Sequence, residues 1–184
     1  MEKLLIIAEK PSAARNFSKA LGGMSGTFEG SPYVIVHLFG HVLAHGTPEE
    51  TAYPAYKETV GKFSNLSSLP WDYKWFDFGK RGPAGRDIDR VKGILADIKN
   101  YLRDGYLPVI ASDIDAMGEG DLLVMEVLWY VGYTGKIYRE YHVDETPAKF
   151  TEALRNKKDV TAKNDALTKA VTRQTLDFLT QQIA

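Results

Sequence analysis

Residue types able to do chemistry gather at two points of this sequence. Glu9 and Lys10 close an apolar run near the start, and Asp113, Asp115, Glu119 and Asp121 crowd together in the second half. Asp113-x-Asp115 on an extended strand end points both carboxylates to one side, because strand side chains alternate with period two. Two like charges that close need a cation, a proton or full solvation. Mg2+ is the natural cation: a hard ion that takes one or two carboxylates, keeps several waters and binds substrate phosphates. Glu119, at the start of the next helix, supplies a third oxygen, with Asp121 as a secondary metal candidate. Glu9, if brought beside these acids, has its pKa raised and serves as a general acid or base. The competing reading of Asp-x-Asp-x-x-Gly is a loop cap with solvated acids, and spacing leaves both open.

Lys10 precedes a helix start, where a phosphate is also welcome, although an exposed turn lysine has the same spacing. His37, His41 and His45 stand four apart, as on a zinc-binding helix face. Phe39-Gly40 interrupts any such helix, so that site is not expected, and His41 is kept as a candidate phosphate contact. There is no Gly-x-x-x-x-Gly-Lys-Ser/Thr, and Gly22-Gly23-Met24-Ser25-Gly26 is not a dinucleotide fingerprint.

These residues need a frame. The chain has 184 residues, a formal charge of −1 and no cysteine. That length suits one domain with room for an extra subdomain. Absence of cysteine excludes disulfide scaffolds, thiol nucleophiles, zinc ribbons and iron–sulfur clusters within the chain. No apolar run approaches the ~20 residues of a membrane span, and the N-terminus is too soon charged for a signal peptide, so the expectation is a soluble cytoplasmic protein. The near-zero net charge argues at first against nucleic acid, whose binders are basic. Its distribution argues otherwise. Residues 104–135 carry six acids and no Lys or Arg, while 80–103 and 149–173 each carry seven bases against three acids. An acidic centre between basic flanks suits a divalent cation beside a polyphosphate, although solvated helix faces give charge runs too.

Leu4 to Ala8 reads as a buried parallel strand, followed by a helix from Pro11-Ser12 to Leu21 that Gly22-Gly23 stops. Tyr33 to Leu38 is a strand. Residues 47–83, rich in proline and aromatics, form a long irregular excursion with a strand near Lys74 to Phe78. Its aromatics could stack bases, though local core beneath a long loop is the commoner use. A helix over Asp87–Arg103, a buried strand over Leu107–Ala111, a central apolar helix over Gly118–Tyr130 and a strand over Lys136–His142 follow. Thr146-Pro147 opens a helix to Asn156, and Asp159–Ile183 is amphipathic and helical. This order implies an α/β fold with a mostly parallel sheet flanked by helices. In such sheets ligands sit beyond the carboxyl ends of the strands. Glu9 and Asp113 each follow a strand, so they converge if those strands are neighbours.

Together these segments resemble the N-terminal Toprim domain of type IA DNA topoisomerases, most closely the topoisomerase III-like branch. Leu5-Ile6-Ile7-Ala8-Glu9-Lys10-Pro11-Ser12-Ala13-Ala14-Arg15 is similar to the family's opening strand and helix, and Phe39-Gly40-His41-Val42-Leu43 to its Gly-His-Leu block. Ala111-Ser112-Asp113-Ile114-Asp115 with Gly118-Glu119-Gly120-Asp121-Leu122-Leu123 resembles its Asp-x-Asp-x-Glu-Gly block. Thr146-Pro147 resembles the segment after the last Toprim strand, and Arg173 to Leu179 the start of the next, helical domain. The acidic block departs from the pattern. Counted straight from Asp115, the family's Arg and Glu become Ala116 and Met117. Two extra residues after Asp115 instead align Glu119-Gly120-Asp121 with Glu-Gly-acid and keep the apolar helix in phase, which is the register preferred here. The family's Arg is missing in either.

The resemblance implies a Rossmann-like Toprim domain over residues 1–158, with 159–184 beginning the following helical domain. It implies Mg2+ on Asp113, Asp115 and Glu119, Glu9 aiding proton transfer at the 3′ oxygen, Lys10 on the scissile phosphate, and His41 and Arg173 as candidate DNA or phosphate contacts. The partners expected are single-stranded DNA and the rest of a topoisomerase chain, in a monomer with no membrane contact. The family's nucleophilic tyrosine lies in a later domain and none of the ten tyrosines here has its context, so this chain alone is not expected to relax DNA. A Toprim nuclease or primase module, or a Toprim domain that only binds DNA, are the alternatives.

Overall fold

The structure, a computed structural model, describes residues 1–45, 73–75 and 88–183. Eight strands and five helices run along these residues. They are β1 (Lys3–Ala8), α1 (Pro11–Leu21), β2 (Ser25–Phe28), β3 (Ser31–His37), β4 (Leu43–His45), β5 (Tyr73–Trp75), α2 (Ile88–Arg103), β6 (Tyr106–Ala111), α3 (Glu119–Tyr130), β7 (Tyr138–Arg139), α4 (Pro147–Arg155), β8 (Lys158–Asp159) and α5 (Asp165–Ile183). Six strands form one sheet in the order β2-β3-β1-β6-β7-β8. Its four inner strands are parallel, and β2 and β8 close the edges antiparallel. The expected α/β architecture with a mostly parallel sheet is therefore present.

The unbroken apolar run of β1 follows from its position. Leu5 and Ile7 enter a core with Val91, Leu95 and Ile98 of α2 and Val124, Val127 and Leu128 of α3. Leu4, Ile6 and Ala8 enter a second core with Ala13, Ala14 and Phe17 of α1 and Phe150 and Leu154 of α4. Both faces of β1 are buried, so alternation is absent. Each fully buried Leu or Ile contributes about 1.5–3 kcal/mol.

Several elements differ from the sequence reading, among them β4 and β8, which it did not contain. The strand expected over Lys136–His142 is only two residues long. After the Glu140 amide donates to the Ile110 carbonyl at 3.2 Å the ladder ends, and the polar side chains of 139–142 turn to buried partners. The last helix starts at Asp165, not Asp159. Asp159 Oδ1 accepts from the Thr161 amide and hydroxyl at 3.0 and 2.6 Å, a side-chain turn that competes with helix. Asn164 Oδ1 then accepts from the Leu167 amide at 2.9 Å, as an N-cap does. The edge strand β2, absent from the sequence reading, returns against β3 through Glu29-Gly30, both at positive φ.

The excursion over 47–83 falls largely outside the described residues. Of the strand expected near Lys74 to Phe78, Lys74 and Trp75 fall in β5, which pairs antiparallel with β4, and the rest lies outside the described residues.

Candidate active site

β1 is the pivot. The chain leaves it toward β3 on one side and later returns to β6 on the other, so a switch point lies between β1 and β6. Ala8 is level with Ala111 in the register of that pair. Glu9 and Ser112 therefore emerge side by side, and the two acidic regions of the sequence meet at one sheet edge. The Gly-His block meets them as well. The Leu38 amide donates to the Ala8 carbonyl at 2.8 Å and the Gly40 amide to the Glu9 carbonyl at 3.1 Å. Gly40 holds φ 77°, and His41 follows it.

Lys10 occupies the N-cap position of α1 but makes no side-chain cap there. Its Nζ reaches across the strand ends to Asp113 Oδ2 at 2.7 Å. The bond to the Lys10 ammonium lowers the Asp113 pKa, and Asp113 in turn raises that of Lys10. The second Asp113 oxygen, Oδ1, lies 3.5 Å from His142 Nε2. Glu9 is half-buried, and that burial raises its pKa; Asp113, Asp115 and Glu119 push the same way against Lys10.

β6 stops at Ala111, two residues short of Asp113, so the period-two rule does not govern Asp113 and Asp115, and the two find different partners. Asp115 accepts backbone N–H groups from Met117 at 2.7 Å, Gly118, Glu119 at 3.3 Å and Gly120 at 3.3 Å. Burial pushes its pKa up, but these donors outweigh it and the net shift is downward. The loop-cap reading thus describes Asp115, with its carboxylate at the N-terminus of α3. Two glycines permit this turn. Gly118 has φ 73°, and a Cβ there would lie 2.1 Å from the Ala166 carbonyl oxygen; one on Gly120 would lie 2.5 Å from Ser112 Cβ and 3.1 Å from Glu9 Oε2.

Glu119, the first residue of α3, lies 2.6 Å through Oε1 from Arg173 Nη1 of α5. His41, Glu119, Leu122, Ala170, Arg173 and Gln174 line one pocket, so both candidate phosphate contacts share a cleft with the third acid. Behind it Glu126 is buried, accepting from Gln174 Nε2 at 3.0 Å and lying 3.9 Å from His41 Nδ1. Burial raises Glu126 to about 7 and lowers His41. His37 ends β3, His41 follows in a loop and His45 ends β4, so the three histidines do not share a helix face.

Asp121 is not at the open edge. It is 2% exposed, 2.9 Å from Arg139 Nε, and accepts from Ser112 Oγ at 3.2 Å and Asn164 Nδ2 at 2.9 Å. This cluster, with Glu140 and His142, escaped the sequence reading. The signal was there, as Arg139-Glu140-x-His142 puts three ionisable side chains in the segment expected to be a strand.

The donors at the edge are carboxylate oxygens, the hard ligands that suit Mg2+. Among the described residues, no three His, Asp or Glu side chains are grouped closely enough to enclose a metal. Mg2+ needs only one or two carboxylates and keeps its waters. Asp113 and Glu119, each about half-exposed, fit that role by chemistry, and their oxygens are presently held by Lys10 and Arg173.

No protein-family model matches the chain. The DNA topoisomerase 3 proteins of Staphylococcus aureus strains USA300 and NCTC 8325 / PS 47 are each 29% identical to it over 180 residues, covering 96% of this chain and 24% of theirs. The chain thus spans about a quarter of the length of these curated relatives. Among solved structures, full-length topoisomerase I from Thermotoga maritima superposes with a TM-score of 0.53 at 18% identity, over 85% of this chain and 21% of that one. That likeness shows a shared fold. The resemblance to type IA DNA topoisomerases read from the motifs is borne out, by relatives named DNA topoisomerase 3 along nearly the whole chain and by a topoisomerase I of the same fold.

Proposed function

We propose that this chain is the Mg2+-binding Toprim domain of a type IA DNA topoisomerase, acting in cleavage and religation of single-stranded DNA within a longer, monomeric, cytoplasmic protein. Residues 1–158 form the Toprim domain and 159–184 begin the next, helical one. The observation that carries the reading is the junction of Glu9, Lys10 and Asp113 at the neighbouring ends of β1 and β6, with Lys10 bonded to Asp113 at 2.7 Å.

In this reading a tyrosine from another domain attacks the phosphodiester. Its oxygen gives up its proton to water and bonds to phosphorus, and the bond to the 3′ oxygen breaks. Glu9, whose burial favours its protonated form, gives its proton to the departing 3′ oxygen and recovers it on religation. Lys10 turns from Asp113 to the scissile phosphate. His41 and Arg173, in the adjoining pocket, contact the DNA backbone. Asp113 and Glu119 would hold Mg2+, with Asp115 bracing the turn between them, and the ion would supply positive charge that organises the DNA for religation.

The test replaces Asp113 and Asp115 by Asn in the topoisomerase that carries this chain. Loss of relaxation is the expected result. Unchanged relaxation would overturn the catalytic reading and leave a domain that only binds DNA.

A further inference from the structure

One buried group is used by none of these steps. Glu140 is 0% exposed, and its Oε2 has no hydrogen-bond partner among the described residues. Its Oε1 lies 2.9 Å from His142 Nδ1, and the opposite ring nitrogen, Nε2, lies 3.5 Å from Asp113 Oδ1. The imidazole is wedged edge-on against Phe17 and Phe150, at centroid distances of 5.7 and 4.7 Å. Arg139 flanks the same line. It donates through Nη1 to the Glu140 carbonyl and through Nη2 to the Asp113 carbonyl at 3.4 Å.

Packing does not require this arrangement. An apolar side chain would fill the space between two phenylalanines without burying Glu140, and burying a carboxylate is costly unless it is paired. What the buried pair does accomplish is orientation. Glu140 fixes one ring nitrogen, so the other faces a carboxylate that is 45% exposed. Lys10 holds the opposite oxygen of that carboxylate, and Lys10 is the partner that must leave when a phosphate arrives.

We propose that His142, oriented by Glu140, is a positioning residue for Asp113, holding its carboxylate in place when Lys10 lets go. It acts through Asp113 and touches neither DNA nor metal. The inference rests on the reading of Asp113 as a metal-facing acid, as groups that orient a ligating carboxylate are worth about 10–100-fold in metal affinity.

The test uses the 184-residue chain and two readouts. Without metal or DNA, the imidazole 15N signals of His142 are followed by NMR. Asp113→Asn shifts Nε2, Glu140→Gln shifts Nδ1, and Lys10→Met leaves Nδ1 bonded to Glu140 and Nε2 facing Asp113. With Mn2+ alone as probe, followed by EPR, His142→Ala weakens binding about 10-fold and His142→Gln, which keeps a donor, restores most of it at an unchanged melting temperature. Ring signals indifferent to Asp113→Asn would overturn the proposal, as would wild-type Mn2+ affinity in His142→Ala. Coupled ring signals in a wild-type chain that takes up no Mn2+ would uphold the positioning of Asp113 and overturn the metal reading alone. The Asp113→Asn arm leaves the core untouched, so the test survives if His142→Ala does not fold.

Discussion

Lys10 Nζ lies 2.7 Å from Asp113 Oδ2, a bond that joins two strand ends 103 residues apart in sequence. It holds the candidate acids together through a cation that the protein itself supplies. Both side chains are nearly half-exposed, so the pair contributes at most about 1 kcal/mol to stability. Asp113 is depressed in the folded chain. Its share is therefore present above the ordinary carboxylate range and lost as pH falls through the folded value. Lys10→Met should raise the Asp113 titration midpoint in carboxyl 13C NMR, barely move the chemical-denaturation midpoint at neutral pH, and weaken binding of a single-stranded oligonucleotide.

Asp115 ties the loop to the first turn of α3 through four backbone N–H groups. Asp115→Ala removes all four acceptor contacts and should cost about 1–2 kcal/mol in urea denaturation, as loss of a helix cap does. Asp115→Asn keeps an acceptor and should cost less. Equal losses would show that charge, not acceptance, holds the turn.

Gly118 and Gly120 are predicted to be the least tolerant positions of the acidic block. Gly118→Ala meets both a left-handed φ and the Ala166 carbonyl oxygen, and Gly120→Ala meets Ser112 and Glu9. Either should destabilise the chain by about 2–4 kcal/mol in thermal or urea unfolding. Ala at Gly93, where nothing lies within 4 Å of the added methyl, serves as the control and should stabilise α2 by about 0.5–1 kcal/mol.

Glu126 makes stability depend on pH in the opposite sense to Asp113. Its pKa rises from 4.5 to about 7 through burial. The folded chain keeps a proton that the unfolded chain releases, so stability declines from pH 4.5 to about 7 and is level above. The full span is worth up to about 3 kcal/mol. Glu126→Gln, which keeps an acceptor for Gln174, should abolish that decline and make the chain more stable at pH 8. Parallel wild-type and variant stability curves across this range would contradict the assignment.

The parallel core was legible because β1 and β6 are short apolar runs ending in polar residues, and because Pro11 and Gly22 punctuate α1. Their pairing was legible only as a condition. The sequence showed Glu9 and Asp113 at strand ends, and the strand order made those ends neighbours. Side-chain direction was not legible. Asp113 and Asp115 were expected to point alike from an extended strand, but the strand stops at Ala111 and each acid follows its own donors. Asp121 looked like a fifth acid at the edge, and is instead the buried partner of Arg139. Helical spacing alone could not separate it from Glu119, since helix rotation decides which of two near neighbours faces the core. β7 and β8 were missed or overdrawn because two-residue strands carry no periodicity to read.

The central claim is that Glu9, Asp113 and Glu119 form one Mg2+-responsive site. Its most direct test is a titration of the 184-residue chain with Mg2+, followed by backbone amide NMR. At millimolar Mg2+ the amides around Glu9, Asp113 and Glu119 are predicted to shift together along a single binding curve. Shifts confined to one of these segments, or separate curves for the β1 and β6 ends, would contradict a shared site.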